Sequence, residues 1–474
     1  MNDGKKAVNG IHILTGQLTS PTSRYFLQPA TCNNHNNHNN HNPYNRQPIT
    51  GLEYFPLLPI FVLFKSLTII YMSKYLFLTL SSLIIIASAN AQVTHWRGPQ
   101  GNGIYPDKNL LKEWPAEGPQ MIWHFDELGK GFSSPVFAND RIYLTGAVDD
   151  QGFIYVLSMD GKLIAKYPYG KEFIESWPGA RSSVTIAGDL LYMESGYGSL
   201  FCMNTKDGSI KWKKEFLSDF DGKNITWGYT ETVVVDNDIL YCTPGGQNNN
   251  VLALNRFTGA TIWSSTGKQE LSAYCTPLLV ELPGRKLLVT MTANSIIGLD
   301  AANGKLLWSH PQTNEWSVHA NTPVYADGGL LCFSGYGQGG PKLKLSPDGS
   351  SITQKWFAKT FDSRMGGAVY VDGYVYGSGD TSGKEWQCLD WKTGERKYAS
   401  TDAAKGAVIY ADGMLFGYSQ KGELFMAKAT PTEFKLAGKV AITLGSDQHW
   451  AHPVINNGIL YVRHGSALMA FKIK

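Results

Sequence analysis

A two-residue turn ending in glycine recurs at nearly constant spacing along this chain, and a short apolar stretch often follows it. Three copies in which that stretch ends in tryptophan read Asp207-Gly208 to Trp212, Thr258-Gly259 to Trp263 and Asn303-Gly304 to Trp308. The turn glycines are Gly161, Gly208, Gly259, Gly304, Gly349 and Gly394, so the spacing stays between 45 and 51 residues. A fixed period in this range indicates a repeat protein, in which no single unit can bury its apolar face alone.

Each repeat contains four short runs of β-branched and aromatic residues. In one repeat these runs are Val233–Val235, Ile239–Cys242, Val251–Leu254 and Ala260–Trp263. Turns rich in Gly, Asn and Asp separate them, as expected for an antiparallel meander. Four strands in about 45 residues form the blade of a β-propeller, so the sequence predicts an all-β fold.

The number of first strands gives the number of blades. Eight such strands begin at Ser134, Ser183, Thr232, Thr276, Thr322, Gly367, Ala407 and His452. The eighth unit ends after its third strand, Ala467–Phe471, while Gln120–His124 stands before the first blade and has the pattern of a fourth strand. We therefore predict an eight-bladed propeller whose ring is closed by an N-terminal strand, which leaves only short, protected strand edges.

The N-terminal part of the chain has the pattern of a targeting segment. Met72 opens a basic stretch, an apolar run follows, and Ala89-Asn90-Ala91 fits a cleavage site. This pattern predicts a signal peptide over residues 72–91, cleaved after Ala91, and a secreted or periplasmic domain over residues 92–474. We interpret residues 1–71, with their Asn/His tract and broken apolar run, as the product of a misassigned gene start. The alternative is a membrane anchor formed by Phe55–Tyr71.

Charge and cysteine usage exclude several classes of protein. The formal net charge is only +3, which gives no indication of nucleic-acid binding. No Cys directly follows Ala91, so we expect no lipid anchor after cleavage. Separately, we expect the protein to be a monomer. The remaining cysteines are Cys202, Cys242, Cys275, Cys332 and Cys388, without metal-ligand spacing. We expect buried, unreacted thiols and no metal site.

Several motifs resemble those of a known family. The third strand, turn and tryptophan, as in Ala253–Trp263 and Gly298–Trp308, resemble the tryptophan-docking repeat of PQQ-like propellers. Trp96–Gly103 is similar to the opening motif of a secreted bacterial subgroup, as are Trp227–Tyr229 and Cys388–Gly394. The resemblance covers residues 92–474 and implies that each repeat tryptophan packs between neighbouring blades.

The family resemblance implies more than one function. Its members include alcohol and glucose dehydrogenases that carry PQQ with Ca²⁺, the propeller lipoprotein of the outer-membrane barrel-assembly machinery, and proteins without known activity. This chain has neither the Cys-Cys dipeptide nor the long insertions of the dehydrogenases. We therefore assign no calcium ligand, catalytic residue or cofactor, and PQQ with Ca²⁺ stays an alternative. The missing lipidation cysteine disfavours the assembly role.

Residues just before the first strands are candidates for a ligand site, because the innermost strands of a propeller face its central channel. Polar and aromatic side chains that meet at a funnel mouth are the usual lining of such a site. The candidates are Arg181, Trp227, Glu231, Tyr274, His319, Asn321, Arg364, Lys405, His449 and Trp450. The competing interpretation is a solvated rim, in which Glu231 pairs with Arg181.

The rim carries more basic than acidic residues, which favours a small anionic ligand or an acidic protein partner. His319 and His449 come from different blades, so we do not expect them to bind a metal. No catalytic motif is visible. The sequence therefore favours a secreted binding or scaffold module. The alternative is a quinoprotein-type oxidoreductase with an atypical site.

Overall fold

The computed structural model describes residues 93–474, which form eight antiparallel sheets around one axis. This confirms the predicted eight-bladed β-propeller. The predictions for residues 1–71 and for the signal peptide at residues 72–91 lie outside the described residues and stay predictions.

Two strands precede the first blade, namely β1 (Val93–Thr94) and β2 (Met121–Phe125). Blade 1 consists of β3 (Val136–Ala138), β4 (Arg141–Val148), β5 (Gln151–Ser158) and β6 (Leu163–Lys171). Blade 2 consists of β7 (Thr185–Ala187), β8 (Leu190–Glu194), β9 (Ser199–Asn204) and β10 (Ile210–Glu215). Blade 3 consists of β11 (Val234–Asp236), β12 (Ile239–Cys242), β13 (Val251–Asn255) and β14 (Thr261–Ser265). Blade 4 consists of β15 (Leu278–Leu282), β16 (Arg285–Thr292), β17 (Ser295–Asp300) and β18 (Leu306–Pro311).

The second half of the ring repeats this pattern. Blade 5 consists of β19 (Val324–Ala326), β20 (Gly329–Leu331), β21 (Gly340–Leu345) and β22 (Ile352–Ala358). Blade 6 consists of β23 (Ala368–Val371), β24 (Tyr374–Ser378), β25 (Trp386–Asp390) and β26 (Arg396–Ser400). Blade 7 consists of β27 (Gly406–Ala411), β28 (Met414–Ser419), β29 (Glu423–Lys428) and β30 (Leu436–Ala441). Blade 8 consists of β31 (Val454–Asn456), β32 (Ile459–His464), β33 (Ala467–Lys472) and the N-terminal strand β2.

Two-residue turns set the register between first and second strands. Asp412 and Gly413 both have positive φ, at 50° and 82°, and the flanking residues Ala411 and Met414 pair directly. A turn with positive φ at both central residues is the type I′ turn, whose twist matches that of the strands it joins. Asp-Gly is a preferred sequence for it, so the local sequence selects the hairpin.

The repeat tryptophans join neighbouring blades, as the family resemblance implied. The indole Nε1–H of Trp263 donates to the carbonyl oxygen of Ala301 in the next blade at 3.0 Å. The ring lies over Gly304, where an added Cβ would approach Trp263 to 2.5 Å. Gly304 also has φ of 74°, so the turn needs glycine for both conformation and space. The turn-plus-tryptophan motif is therefore the joint between successive blades.

The ring closes where the sequence predicted. Strand β2 pairs antiparallel with β33, with Met121 opposite Phe471 and His124 opposite Met469. Blade 8 is thus built from both ends of the propeller domain, which leaves no unpaired blade interface. The five described cysteines are free and buried, which confirms the expectation of buried thiols.

An N-terminal loop fills the central channel, which the sequence did not predict. Strand β1 adds to the innermost strand of blade 2, where Val93 pairs with Ala187. The chain then reaches blade 8, where Arg97 contacts His452, and it returns to blade 7, where Ile104 bridges to Tyr410. We call residues 93–105 the channel loop. The loop begins and ends beside Ala187 and Tyr410, near the C-terminal ends of first strands. Its middle part, around Trp96 and Arg97, therefore lies in the channel beneath the rim.

Among residues 93–474, helical structure is limited to α1 (Phe216–Asp219), a single turn after β10. Within residues 93–474, no helical segment combines the length and apolar content that crossing a bilayer requires.

Candidate ligand-binding cavity

A cavity of about 410 Å³ lies at the end of the channel where the first strands begin. This volume is in the range of small-molecule binding sites, which start near ~300 Å³. Its floor includes Trp96, so the channel loop forms one boundary of the cavity. Eight aromatic side chains line it: Trp96, Phe132, Trp177, Trp227, Tyr274, Trp316, Tyr336 and Trp450.

Most of the aromatic residues form two groups on different arcs of the ring. Around blades 8, 1 and 2, the ring of Trp450 lies 4.9 Å from Phe132 and 5.4 Å from Trp177. Around blades 3, 4 and 5, the ring of Trp227 lies 5.6 Å from Trp316 and 6.3 Å from Tyr274. These spacings are typical of aromatic pairs, which fix each other's orientation. The mouth therefore carries two preformed aromatic walls.

Three cavity aromatics have an unfavourable backbone conformation. Trp177, Tyr274 and Tyr336 have φ of 48°, 68° and 59°. Most other non-glycine residues with positive φ in this structure are Asn or Asp, which tolerate that region. For a bulky residue the cost is about 1 to 3 kcal/mol, and such residues concentrate at functional sites. These loops keep a costly backbone conformation at residues whose rings line the cavity. This favours a role for the rings in binding.

Arg181 holds one of these loops in place. Its guanidinium donates to the carbonyl oxygens of Gly179, Ser176 and Trp177 at 2.7, 2.8 and 2.9 Å. Burial lowers the pKa of Arg181. The predicted pair with Glu231 is wrong, because the guanidinium is turned towards the Trp177 loop, whose backbone carbonyls accept its hydrogens. Arg181 does line the cavity, but it acts on the position of Trp177.

Glu231 is buried away from the cavity, beside a second carboxyl. One of its oxygens accepts from the backbone N–H of Thr243 at 2.7 Å, and the other has no partner within residues 93–474. Burial raises the pKa of Glu231 and of its neighbour Glu194, and the proximity of the two carboxyls raises the pKa of Glu194 further. These groups form an acid pair within the blade interface and do not line the ligand space.

Arg364 and Lys405 share one carboxylate that the sequence analysis missed. Asp380 lies 3.1 Å from Arg364 Nη2 and also pairs with Lys405. Burial acts to raise the pKa of Asp380, but its hydrogen bond with Lys405 and the charge of Arg364 hold it below its usual range. Two of the three predicted basic residues are therefore engaged by a buried aspartate. Only Arg364 of this cluster lines the cavity.

Three further candidates, His319, Asn321 and His449, lie outside the cavity lining. His319 is fully buried, with Nε2 3.2 Å from the carbonyl oxygen of Ala293, and burial lowers its pKa to about 4. Asn321 donates to the carbonyl oxygen of Ser363 at 2.6 Å. His449 stacks on His464 with ring centroids 3.7 Å apart. None of these three lines the cavity, whereas Trp227, Tyr274 and Trp450 do, as predicted.

The cavity floor is held by a buried arginine–histidine contact. Arg97 Nη1 donates to His452 Nδ1 at 2.9 Å, and Arg97 Nη2 donates to the carbonyl oxygen of Ala368 at 2.7 Å. His452 Nε2–H in turn donates to the carbonyl oxygen of Met365 at 2.8 Å. Burial and the charge of Arg97 lower the pKa of His452 to about 3. The imidazole is therefore neutral, and its proton lies on Nε2.

Five of the eight aromatic cavity residues were not among the sequence candidates, namely Trp96, Phe132, Trp177, Trp316 and Tyr336. A signal was present, because Trp177, Trp227 and Trp316 all fall five or six residues before the predicted start of a first strand. Their separations of 50 and 89 residues are close to one and two repeat lengths. Trp227 is among the predicted candidates, whereas Trp177 and Trp316 lie outside the three positions before each predicted strand start from which the other candidates come.

The lining does not fit the metal of the quinoprotein dehydrogenases. Ca²⁺ takes about six to eight oxygen ligands, with carboxylates among them. Among the described residues that line the cavity, none is Asp, Glu, Asn or Gln. Residues 93–474 also contain no group of three His, Cys, Asp or Glu side chains placed to share a metal ion. Calcium-dependent chemistry in this cavity therefore lacks the donor set it needs.

Comparison with family models gives a match that covers more than half of the chain. The model described as outer membrane protein assembly factor BamB matches residues 120–400. An uncharacterized protein of Rickettsia conorii is 26% identical over 207 residues. That alignment covers 43% of this chain and 45% of the relative, so the match spans less than half of the relative's length.

Solved structures with the same fold include BamB and quinohemoprotein alcohol dehydrogenase. BamB from Moraxella catarrhalis is 14% identical with a TM-score of 0.53, over 75% of this chain and 100% of that chain. Quinohemoprotein alcohol dehydrogenase from Comamonas testosteroni is 10% identical with a TM-score of 0.56, over 82% of each chain. At these identities the likeness concerns the fold alone.

Proposed function

Because the chain belongs to the family described as outer membrane protein assembly factor BamB, a family of propellers, we propose that it is a secreted or periplasmic binding module. Its ligand occupies the tryptophan-lined cavity. The observation that carries this proposal is the exposure of large aromatic residues at a concave site. Trp177 and Trp316 are 49% and 44% exposed at the cavity mouth.

Exposed indoles of this size need an explanation. A folded protein gains by burying tryptophan, and contiguous exposed apolar surface usually marks a binding site. Here Arg181 holds the backbone of the Trp177 loop, and the ring of Trp316 packs against Trp227, so both indoles stay at the mouth. A ligand that covers these indoles would remove their apolar surface from water, and the free energy gained would favour binding. The arrangement therefore suits a preformed pocket that binds without a large conformational change.

A quinoprotein-type oxidoreductase is the alternative function. The likeness of the fold to quinohemoprotein alcohol dehydrogenase supports it, and the face of a single indole can stack on a planar quinone. The lack of carboxylate and amide ligands in the lining opposes the calcium partner of that cofactor. We therefore place the binding module first.

The test uses a panel of small molecules against the domain of residues 92–474. The panel contains neutral saccharides, aromatic acids, tetramethylammonium, and PQQ with and without Ca²⁺. Intrinsic tryptophan fluorescence and the thermal midpoint are recorded for the wild type and for Trp177→Ala/Trp316→Ala. The matched control is Phe357→Ala, which removes an aromatic side chain that is 42% exposed on the outer strand β22.

The proposal predicts saturable binding of at least one class, lost in the double tryptophan variant and kept in Phe357→Ala. A ligand at 100 times its Kd would stabilise the fold by about 2.7 kcal/mol. Panel-wide failure to bind, or binding that survives both tryptophan substitutions, would overturn it. Saturable PQQ binding accompanied by dye reduction with simple alcohols would establish the oxidoreductase instead.

A further inference from the structure

We infer that the tryptophan-lined cavity takes a neutral saccharide, with a sugar ring stacked on an indole and its hydroxyl groups hydrogen-bonded around the ring edge. This inference rests on the proposed binding function and adds the chemical class of the ligand. Three properties of the lining carry it: unused indole donors, flat aromatic surfaces, and arginines that are already engaged.

The indole N–H groups differ between the cavity and the blade joints. At the joints, Nε1–H donates to a backbone carbonyl, as from Trp123 to Met159 and from Trp212 to Arg256. The cavity indoles are Trp96, Trp177, Trp227, Trp316 and Trp450. Within the part of the chain that the structure describes, no protein acceptor takes Nε1–H from any of these five. Several unused donors around one space favour a ligand with many acceptor oxygens.

The flat surfaces point to a ring with a C–H face. Indole faces carry partial negative charge, and the C–H groups on one side of a sugar ring carry partial positive charge, so the two attract. The two aromatic walls, with Trp177 on one and Trp316 on the other, offer such faces at the mouth. Small hydroxyl side chains complete the lining on the side of blades 2 to 4, at Ser183, Thr230, Thr232 and Thr276. Hydroxyls and indole N–H groups together match the donors and acceptors of a sugar edge.

The charges argue against ionic ligands. The lining contains no carboxylate to attract an organic cation, and the guanidiniums of Arg181 and Arg364 oppose one. An anion would bind best to guanidinium N–H groups that have no other acceptor. Arg181 instead gives three hydrogen bonds to backbone carbonyls, and Arg364 pairs with Asp380. The predicted anionic ligand would therefore compete with contacts already made, whereas a neutral saccharide leaves both arginines in place.

The experiment is a titration of the wild type with cellobiose, maltose and N,N′-diacetylchitobiose, followed by an array of neutral glycans. Isothermal titration calorimetry and tryptophan fluorescence give the affinity. We expect at least one neutral glycan to bind. Trp177→Ala and Trp316→Ala should each weaken binding about tenfold or more, as expected for an aromatic anchor. Phe357→Ala should leave the affinity unchanged. Equal circular dichroism and thermal midpoints show that the variants fold.

The saccharide inference and the proposed function fail in different ways. If no neutral glycan binds while PQQ, an aromatic acid or tetramethylammonium binds in a Trp177-dependent manner, the saccharide inference is overturned and the binding module stands. If glycan binding is unaffected by both tryptophan substitutions, the inference is also overturned, because the sugar then lies elsewhere. If no compound of the panel and no glycan of the array binds, both the saccharide inference and the proposed binding function are overturned.

Discussion

The neutral state of His452 makes the stability of this fold depend on pH in a defined way. Its Nδ1 accepts from Arg97, so a proton there would abolish the hydrogen bond and face a buried cation. The pKa of His452 falls from 6.5 to about 3 in the folded protein. The unfolded state therefore takes up a proton first as pH falls. The contribution of neutral His452 to the free energy of unfolding is complete above pH 6.5 and is lost as the pH falls towards 3.

The size of the effect follows from the shift. Each pKa unit is worth about 1.36 kcal/mol, so lowering the pH from 7 to 5 removes about 2 kcal/mol of stability through His452 alone. His452→Gln keeps polar groups near Arg97 but cannot titrate. Other groups with shifted pKa values, such as His319, change the pH dependence of both proteins alike. The difference between the two proteins isolates His452.

The assay is urea unfolding followed by tryptophan fluorescence at pH 7, 6 and 5. We expect His452→Gln to be less stable at pH 7 and to lose about 2 kcal/mol less than the wild type on acidification to pH 5. Parallel pH curves for the two proteins would refute the reasoning. They would show that burial and the charge of Arg97 do not hold His452 neutral in the folded protein.

Three further predictions concern the joints, the buried acids and the cavity. Gly304→Ala should lower the free energy of unfolding by about 2 to 3 kcal/mol in urea titrations, because φ is positive and the methyl group meets Trp263; an unchanged midpoint contradicts this. Glu231→Gln should stabilise more at pH 9 than at pH 6, since the raised pKa of Glu231 makes the folded wild type lose stability as pH rises; a gain independent of pH contradicts it. Arg181→Met should weaken ligand binding nearly as much as Trp177→Ala in fluorescence titrations, because Arg181 holds that loop; full affinity would contradict its positioning role.

The fold could be predicted from the sequence because its signals are local and repeated. Asp412-Gly413 specifies its own turn, and the period of Gly208, Gly259 and Gly304 counts the blades. The closing strand could also be predicted, because the last repeat lacks its fourth strand and the segment at Met121–Phe125 has a strand pattern but belongs to no other repeat. Each inference needed only neighbouring residues or a fixed spacing.

The channel loop and the charges of the site could not be predicted in this way. Arg97 and His452 are 355 positions apart, and nothing in their local sequence indicates the contact. The same holds for Asp380, which pairs with two cations from different segments. Which charged residues form a buried ion pair depends on which loops the fold brings together. Counting basic and acidic residues in the sequence therefore does not show which of them are available to a ligand. The aromatic residues had a repeat signal and were predictable in principle.

The central claim is that the cavity is the working site, and a crystal structure with ligand tests it most directly. Crystals of residues 92–474 would be soaked with the tightest-binding neutral glycan from the titrations. The account predicts a sugar ring stacked on Trp177, Trp227, Trp316 or Trp450, with Arg181 and the Arg364–Asp380 pair unchanged. Glycan density only outside this cavity, or an empty cavity at a saturating concentration, would contradict it.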